Sequence, residues 1–284
     1  MSIRKIAAAF KSVPTTEGAG VHLKRAFGYA QVPQFDPFLM LDDFHTDNPN
    51  EYMAGFPWHP HRGIETITYL LEGLVEHGDS MGNKGTIGAG DVQWMTAGSG
   101  IIHQEMPKIS PTGTIWGFQF WANLPADKKM MAPRYQDIKA VEIPEVTLEQ
   151  GISVKIIAGE VAGVQGPVCD IIIEPEMLDI TVPTGVTFTH SLVMGHTAFT
   201  YILSGDGCFD ESGTLFRSET VVLYERGGDE IQITASGNQL RFLLVSGKPL
   251  KEPVAWGGPI VMNTQEELQL AFDEYKLGTF IKNH

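Results

Sequence analysis

The chain is poor in cysteine, in positive charge, in long apolar runs and in helical periodicity, and each shortage removes a class of protein. Of its 284 residues only Cys169 and Cys208 are cysteines. Two are too few for a disulfide framework, and they are not spaced as a metal pair, so both are expected to be buried thiols in a reducing compartment. Lysine and arginine total 20 against 34 acidic residues, a net charge of -14. Such a field repels phosphate backbones and anionic membrane surfaces, which argues against a direct nucleic-acid partner. Near the N-terminus Arg4 and Lys5 are followed only by Ile6 to Phe10 before Lys11, an apolar run too short for a secretory signal. No later stretch approaches the roughly 20 apolar residues of a membrane span. The expectation is a soluble cytoplasmic protein, with the nucleus also open in a eukaryotic host.

What is present points to a folded, strand-rich chain. Hydrophobic residues make up 43% and charged residues 19%, unlike a disordered sequence. The 31 glycines and 17 prolines are spread along the chain. Between them lie short runs rich in β-branched and aromatic residues: Thr66 to Leu71, Thr114 to Trp121, Val154 to Ile157, Ile171 to Ile173, Phe199 to Leu203, Ile231 to Thr234 and Leu240 to Val245. Many short strands bounded by turn residues predict an all-β sandwich or barrel. The best helix is C-terminal: Thr264 and Glu267 have capping-box spacing, and Leu268, Ala271, Phe272 and Tyr275 follow at helical intervals. From Asn123-Leu124-Pro125 to about Pro144 a polar segment breaks the strand pattern, predicting two β domains, 1–132 and 133–284. A short echo, Tyr69 to Gly73 against Tyr201 to Gly205, falls at corresponding places in the two halves.

The chemistry concentrates around Trp58-His59-Pro60-His61-Arg62-Gly63. In an extended chain residues i and i+2 share a face, so His59 and His61 can address one point, and Pro60 suits a strand start or edge. The same parity, without a bulge, carries Glu65 onto that face as a ligand or near neighbour. Further on, Gly98-Ser99-Gly100 makes a tight turn, after which His103 and Glu105 again share a face. Two strands giving a pair of ligands each close a site of three nitrogens and one carboxylate, which leaves positions of an octahedron open to substrate or oxygen. A purely structural metal fits less well, since structural sites are usually closed and cysteine-rich. Phe56, Trp58, Trp94, Met95 and Met106 flank the ligands and are candidates to line an apolar pocket, or equally to be barrel core. His22, His45, His77, His190, His196 and His284 have no partner at such spacing.

These residues carry a resemblance. His59-Pro60-His61-Arg62-Gly63, Tyr69 to Gly73, and Gln93 to Gly100 with His103 to Glu105 resemble the pirin family of bicupins, as do Asp36 to Leu39, Pro133-Arg134-Tyr135 and Gly258 to Thr264. The resemblance implies two cupin-type β-barrels (a double-stranded β-helix, or jelly roll) packed face to face, with a C-terminal helix. It implies one iron ion, Fe(II), per chain on His59, His61, His103 and Glu105, with Glu65 behind the ligands; the donors alone would also accept Mn, Co, Ni, Cu or Zn. The C-terminal half departs from that pattern. Thr189-His190-Ser191 offers no paired histidines, and the positions facing them fall near Gln232 and Thr234, so the second barrel is expected to lack metal. The implied activity is oxygen-dependent cleavage of a flavonol such as quercetin, a small aromatic enol that reacts with O2, with Glu105 or Glu65 as base. The alternative is a metal-dependent, redox-sensing regulator that binds partner proteins. A monomer is expected.

Overall fold

The computed structural model describes residues 2–282. The chain divides into two compact units, each built on one seven-stranded and one four-stranded sheet. The first unit takes Val13–Val32, Phe38–Ala140 and the chain from Leu250 onward. Its larger sheet runs in the order Arg134–Ile138, Val92–Thr96, Ile64–Glu72, Ile115–Asn123, Phe38–Thr46, Val21–Phe27, Val13–Glu17. Its smaller sheet runs Phe56–His61, Ile101–Lys108, Leu74–Asp79, Lys84–Ile87. The second unit takes the N-terminal strand Ile6–Lys11, the stretch Pro33–Pro37 and Val141–Pro249. Its larger sheet follows the order Ile6–Lys11, Thr220–Tyr224, Thr197–Ser204, Leu240–Gly247, Glu176–Val182, Ser153–Ala158, Glu145–Thr147.

The two orders match strand for strand, so the chain is an internal duplication. Tyr69 to Gly73 and Tyr201 to Gly205 end strands at the same place in their sheets, and Gly73 and Gly205 both have positive φ (101° and 81°). The domains expected at 1–132 and 133–284 differ from these units at both chain ends. Ile6–Lys11 fills in the second sheet the edge that Arg134–Ile138 fills in the first, and the helix Gln265–Lys276 packs on strands of the first unit.

Side-chain alternation fixes what faces inward. Along Ile101–Lys108 buried and half-buried residues alternate, so Ile101, His103, Glu105 and Pro107 point into the barrel and Gln104 and Met106 point away. Glu230–Ala235 does the same with Ile231, Ile233 and Ala235. The second barrel is filled by one continuous apolar cluster that includes Phe188, Phe209 and Phe242. In the first, the core is split: Val21, Leu23, Phe44, Tyr52 and Leu70 form one cluster, and Leu39, Ile64, Met95, Ile101 and Val261 another.

The helix forms as its cap predicts. Thr264 Oγ1 accepts from Glu267 N at 3.2 Å, and Glu267 Oε2 accepts from Thr264 N at 3.1 Å. Leu268 and Ala271 are buried while Tyr275 is 40% exposed, so the packed stripe is narrower than the sequence suggests. Two other expectations fail. Ile171–Ile173 is not a strand: Asp170 and Glu174, with positive φ, bracket it as a turn, and Ile171 and Ile173 are buried as plugs. Cys169 is exposed rather than buried, on the loop leading into that turn, and Cys208 is half-buried. Among the described residues no helix is long and apolar enough to cross a membrane.

Candidate metal centre

The two histidine strands pair antiparallel, with His59 opposite His103 and His61 opposite Ile101. This register gathers three imidazoles. His59 Nε2 lies 3.0 Å from His61 Nε2 and 3.0 Å from His103 Nε2. The far sides of two rings are pinned to backbone: His59 Nδ1 is 2.8 Å from the Pro57 carbonyl and His61 Nδ1 is 3.1 Å from the Pro259 carbonyl. A carbonyl only accepts, so each Nδ1 carries the proton and each Nε2 presents a lone pair. Burial, followed by the neighbouring imidazoles, holds His61 and His103 well below the ordinary histidine value, which keeps them neutral. The His59 and His61 lone pairs, 3.0 Å apart, repel one another unless a proton or a cation lies between them, and His103 adds a third ring nitrogen with no backbone partner on its far side. Chemically this is a metal donor set.

Glu105 falls outside that cluster of mutually close donors. Its carboxylate accepts from Thr68 Oγ1 at 3.0 Å and Gln119 Nε2 at 3.1 Å, and it lines the same cavity as His59 and His61. Glu65 is elsewhere. Strand parity does not carry past His61, because Arg62 and Gly63 end that strand and Ile64–Glu72 belongs to the other sheet. Gly63 makes the break possible: its φ is +78°, and a Cβ there would sit 2.0 Å from the Val261 carbonyl oxygen. Glu65 is fully buried and accepts from Thr96 Oγ1 at 2.7 Å and Trp94 Nε1 at 3.1 Å. Burial raises its carboxyl, with these two donors opposing.

Two buried cations brace the metal strand. Arg62 donates to Ser99 O (2.7 Å) and Phe280 O (2.7 Å), pairs with Glu274 (2.8 Å), and lies over the Phe280 ring. Lys129 Nζ donates to Gly63 O, Asn123 Oδ1 and Val261 O at 2.7–3.0 Å, and burial lowers it to about 8.

The split core leaves a cavity of about 670 Å³ with His59, His61 and Glu105 on its wall. Trp121 meets His61 edge-on at 5.2 Å, Trp256 lies 5.7 Å from Trp121, and Tyr29 lies 5.6 Å from Trp256, giving one wall of aromatic rings. Arg25 and Asp42 also line it, joined by hydrogen bonds of 2.8 and 2.7 Å. Burial raises the Asp42 carboxyl and Arg25 opposes that. Of the expected pocket residues only Phe56 lines this cavity. Trp94 and Met95 are buried in the barrel, and Trp58 and Met106 line a separate hollow. Gln119 and Trp121 are legible in hindsight, two residues apart on one strand and therefore on one face. Trp256 gives no local signal, because it comes from the far end of the chain.

In the second unit the corresponding register sets Thr189 opposite Gln232 and Thr187 opposite Thr234, whose hydroxyls are 2.9 Å apart. His190 is bound to Glu176 at 2.8 Å, His45 stacks on Trp116, and His77 meets Gln93 at 2.9 Å; His284 lies outside the described residues.

Comparison with known proteins agrees with this architecture. Residues 20–122 match the family model Pirin, and residues 177–281 match the Pirin C-terminal cupin domain. A pirin-like protein of Caulobacter vibrioides is 41% identical over 281 residues, covering 99% of this chain and 100% of its own. Pirin-like protein 2 of Arabidopsis thaliana is 43% identical over 269 residues, covering 92% of this chain and 81% of its own. A crystal structure of quercetin 2,3-dioxygenase from Acinetobacter baumannii superposes with a TM-score of 0.90 at 33% identity, covering 98% of this chain and 99% of that one. With both family domains in order and relatives matched over nearly their whole lengths, the chain belongs to the pirin family of bicupin proteins.

Proposed function

We propose that the protein is an oxygen-dependent dioxygenase that cleaves quercetin-like flavonols at one iron ion held by His59, His61, His103 and Glu105. The observation that carries the reading is the convergence of three imidazole nitrogens, two of them on residues that line an aromatic-walled cavity. The likeness to the A. baumannii quercetin 2,3-dioxygenase supports the substrate class. A bound iron ion would supply Lewis acidity toward the enol oxygen and one-electron chemistry with dioxygen.

The chain's own residues do the rest. Pro57 and Pro259 carbonyls orient His59 and His61 as ligands. Trp121 and Trp256 line the cavity as a tilted aromatic pair, an apolar wall suited to a planar ring system. Glu105 is read as the base that takes the flavonol hydroxyl proton, on a carboxylate oxygen that would not be engaged by the ion; its position on the cavity wall, which Glu65 does not line, supports this over Glu65. Thr68 and Gln119 steady that carboxylate.

The test is direct. Iron-loaded protein is mixed with quercetin under air and the loss of its visible absorbance is followed, with His61→Ala as control. Turnover that His61→Ala abolishes supports the reading. No turnover by protein with its metal intact sinks it and favours the partner-binding alternative.

A further inference from the structure

The hydrogen-bonding groups around the cavity are unevenly committed. Tyr52 Oη donates to Gly113 O at 2.9 Å and Trp256 Nε1 to Gly258 O at 2.6 Å. His59 and His61 donate to backbone carbonyls, while Thr68 and Gln119 donate to Glu105. These lining donors are occupied by protein oxygens. The carboxylate acceptors are occupied only in part. An ionised carboxylate offers about four lone-pair sites; each Asp42 oxygen takes one bond from Arg25, and Glu17 Oε1 takes a third from Arg25 Nη1 at 3.0 Å. All three guanidinium nitrogens therefore face carboxylates, and one cation against two anions leaves this part of the wall negative. The chain's overall charge of -14 acts in the same direction.

We propose that this wall selects neutral, hydroxyl-bearing planar aromatics and rejects aromatic sulfonates, carboxylates and phosphates, with Asp42 and Glu17 as the selecting residues. The proposal rests on the reading of the cavity as an aromatic-enol site. A phenolic hydroxyl gains a charge-assisted hydrogen bond from a carboxylate that has lone-pair sites left beside those Arg25 takes. An anionic ligand in the same place would bring like charge against two carboxylates whose one cationic partner, Arg25, already faces both of them.

The experiment measures binding rather than turnover. Iron-loaded protein is titrated by calorimetry without oxygen, near pH 6, where phenols stay protonated. Three probes share the chelating enol and ketone: quercetin, 3-hydroxyflavone, which lacks the other hydroxyls, and quercetin sulfonate. The expected Kd rises about tenfold for 3-hydroxyflavone, as loss of one hydrogen bond to a charged group requires. It rises by at least tenfold for the sulfonate. Glu17→Gln, at a side chain 43% exposed and safe for folding, is expected to shrink the sulfonate penalty at least threefold. Equal affinity for all three probes, or an unchanged sulfonate penalty in Glu17→Gln, overturns the selection proposal and leaves the aromatic site standing. Failure of all three to bind overturns the aromatic-site reading and this proposal with it.

Discussion

Arg62→Met measures how far the metal strand depends on the C-terminal segment. Methionine keeps most of the stem volume, so the polar contacts dominate the loss. The Arg62 side chain is 2% exposed and carries two hydrogen bonds to carbonyls and an ion pair with Glu274. Removing one partner of a buried pair costs about 3–5 kcal/mol. Glu274 is 17% exposed and keeps Lys282 at 2.7 Å, which places the loss at the lower end, about 3 kcal/mol. For units of this size each kcal/mol shifts Tm by about 2–4 °C, so a fall of about 6–12 °C is expected in a calorimetric scan of metal-loaded protein. Cleavage of the chain after Leu250 by protease is expected to accelerate in parallel. A Tm within about 2 °C of wild type would refute the bracing role.

Two further expectations are as readily checked. The folded-state values of His61 and His103 are depressed, so below the unfolded value of about 6.5 the unfolded chain takes up protons that the folded one does not. Metal-free protein should therefore lose stability as pH falls through that value, measured by urea midpoints between about pH 7 and pH 5, and His103→Asn should flatten the slope. Glu65→Gln should leave metal affinity within about twofold by chelator competition, whereas Glu105→Gln should weaken it by about tenfold or more; equal effects would contradict the separation of the two carboxylates.

Much of this architecture was legible because it is local. Alternation placed His103 with Glu105, and the capping box placed the helix start. Strand parity put His59 with His61, and the meeting of that pair with His103 comes from the antiparallel pairing of two separate strands. Parity failed one step later at Glu65, where a left-handed glycine redirected the chain into another sheet. Glycine is frequent enough in this sequence that no local pattern distinguishes Gly63 from an ordinary turn. The run Ile171–Ile173 misled for a related reason: β-branched residues suit burial generally, and here two of them are buried from a turn. The aromatic wall was hidden because Trp121, Trp256 and Tyr29 meet only through the tertiary fold. The same holds for Pro259, which sets the tautomer of a histidine far before it.

That last contact orders events in time. The carbonyl that orients His61 follows it by 198 residues, and Glu274 and Phe280, which hold Arg62, come later still. As the nascent chain leaves the ribosome, His59, His61 and His103 all emerge before Pro259, so the contact that orients His61 waits for 198 further residues. A translation product interrupted before Pro259 therefore holds the three histidines with His61 unoriented.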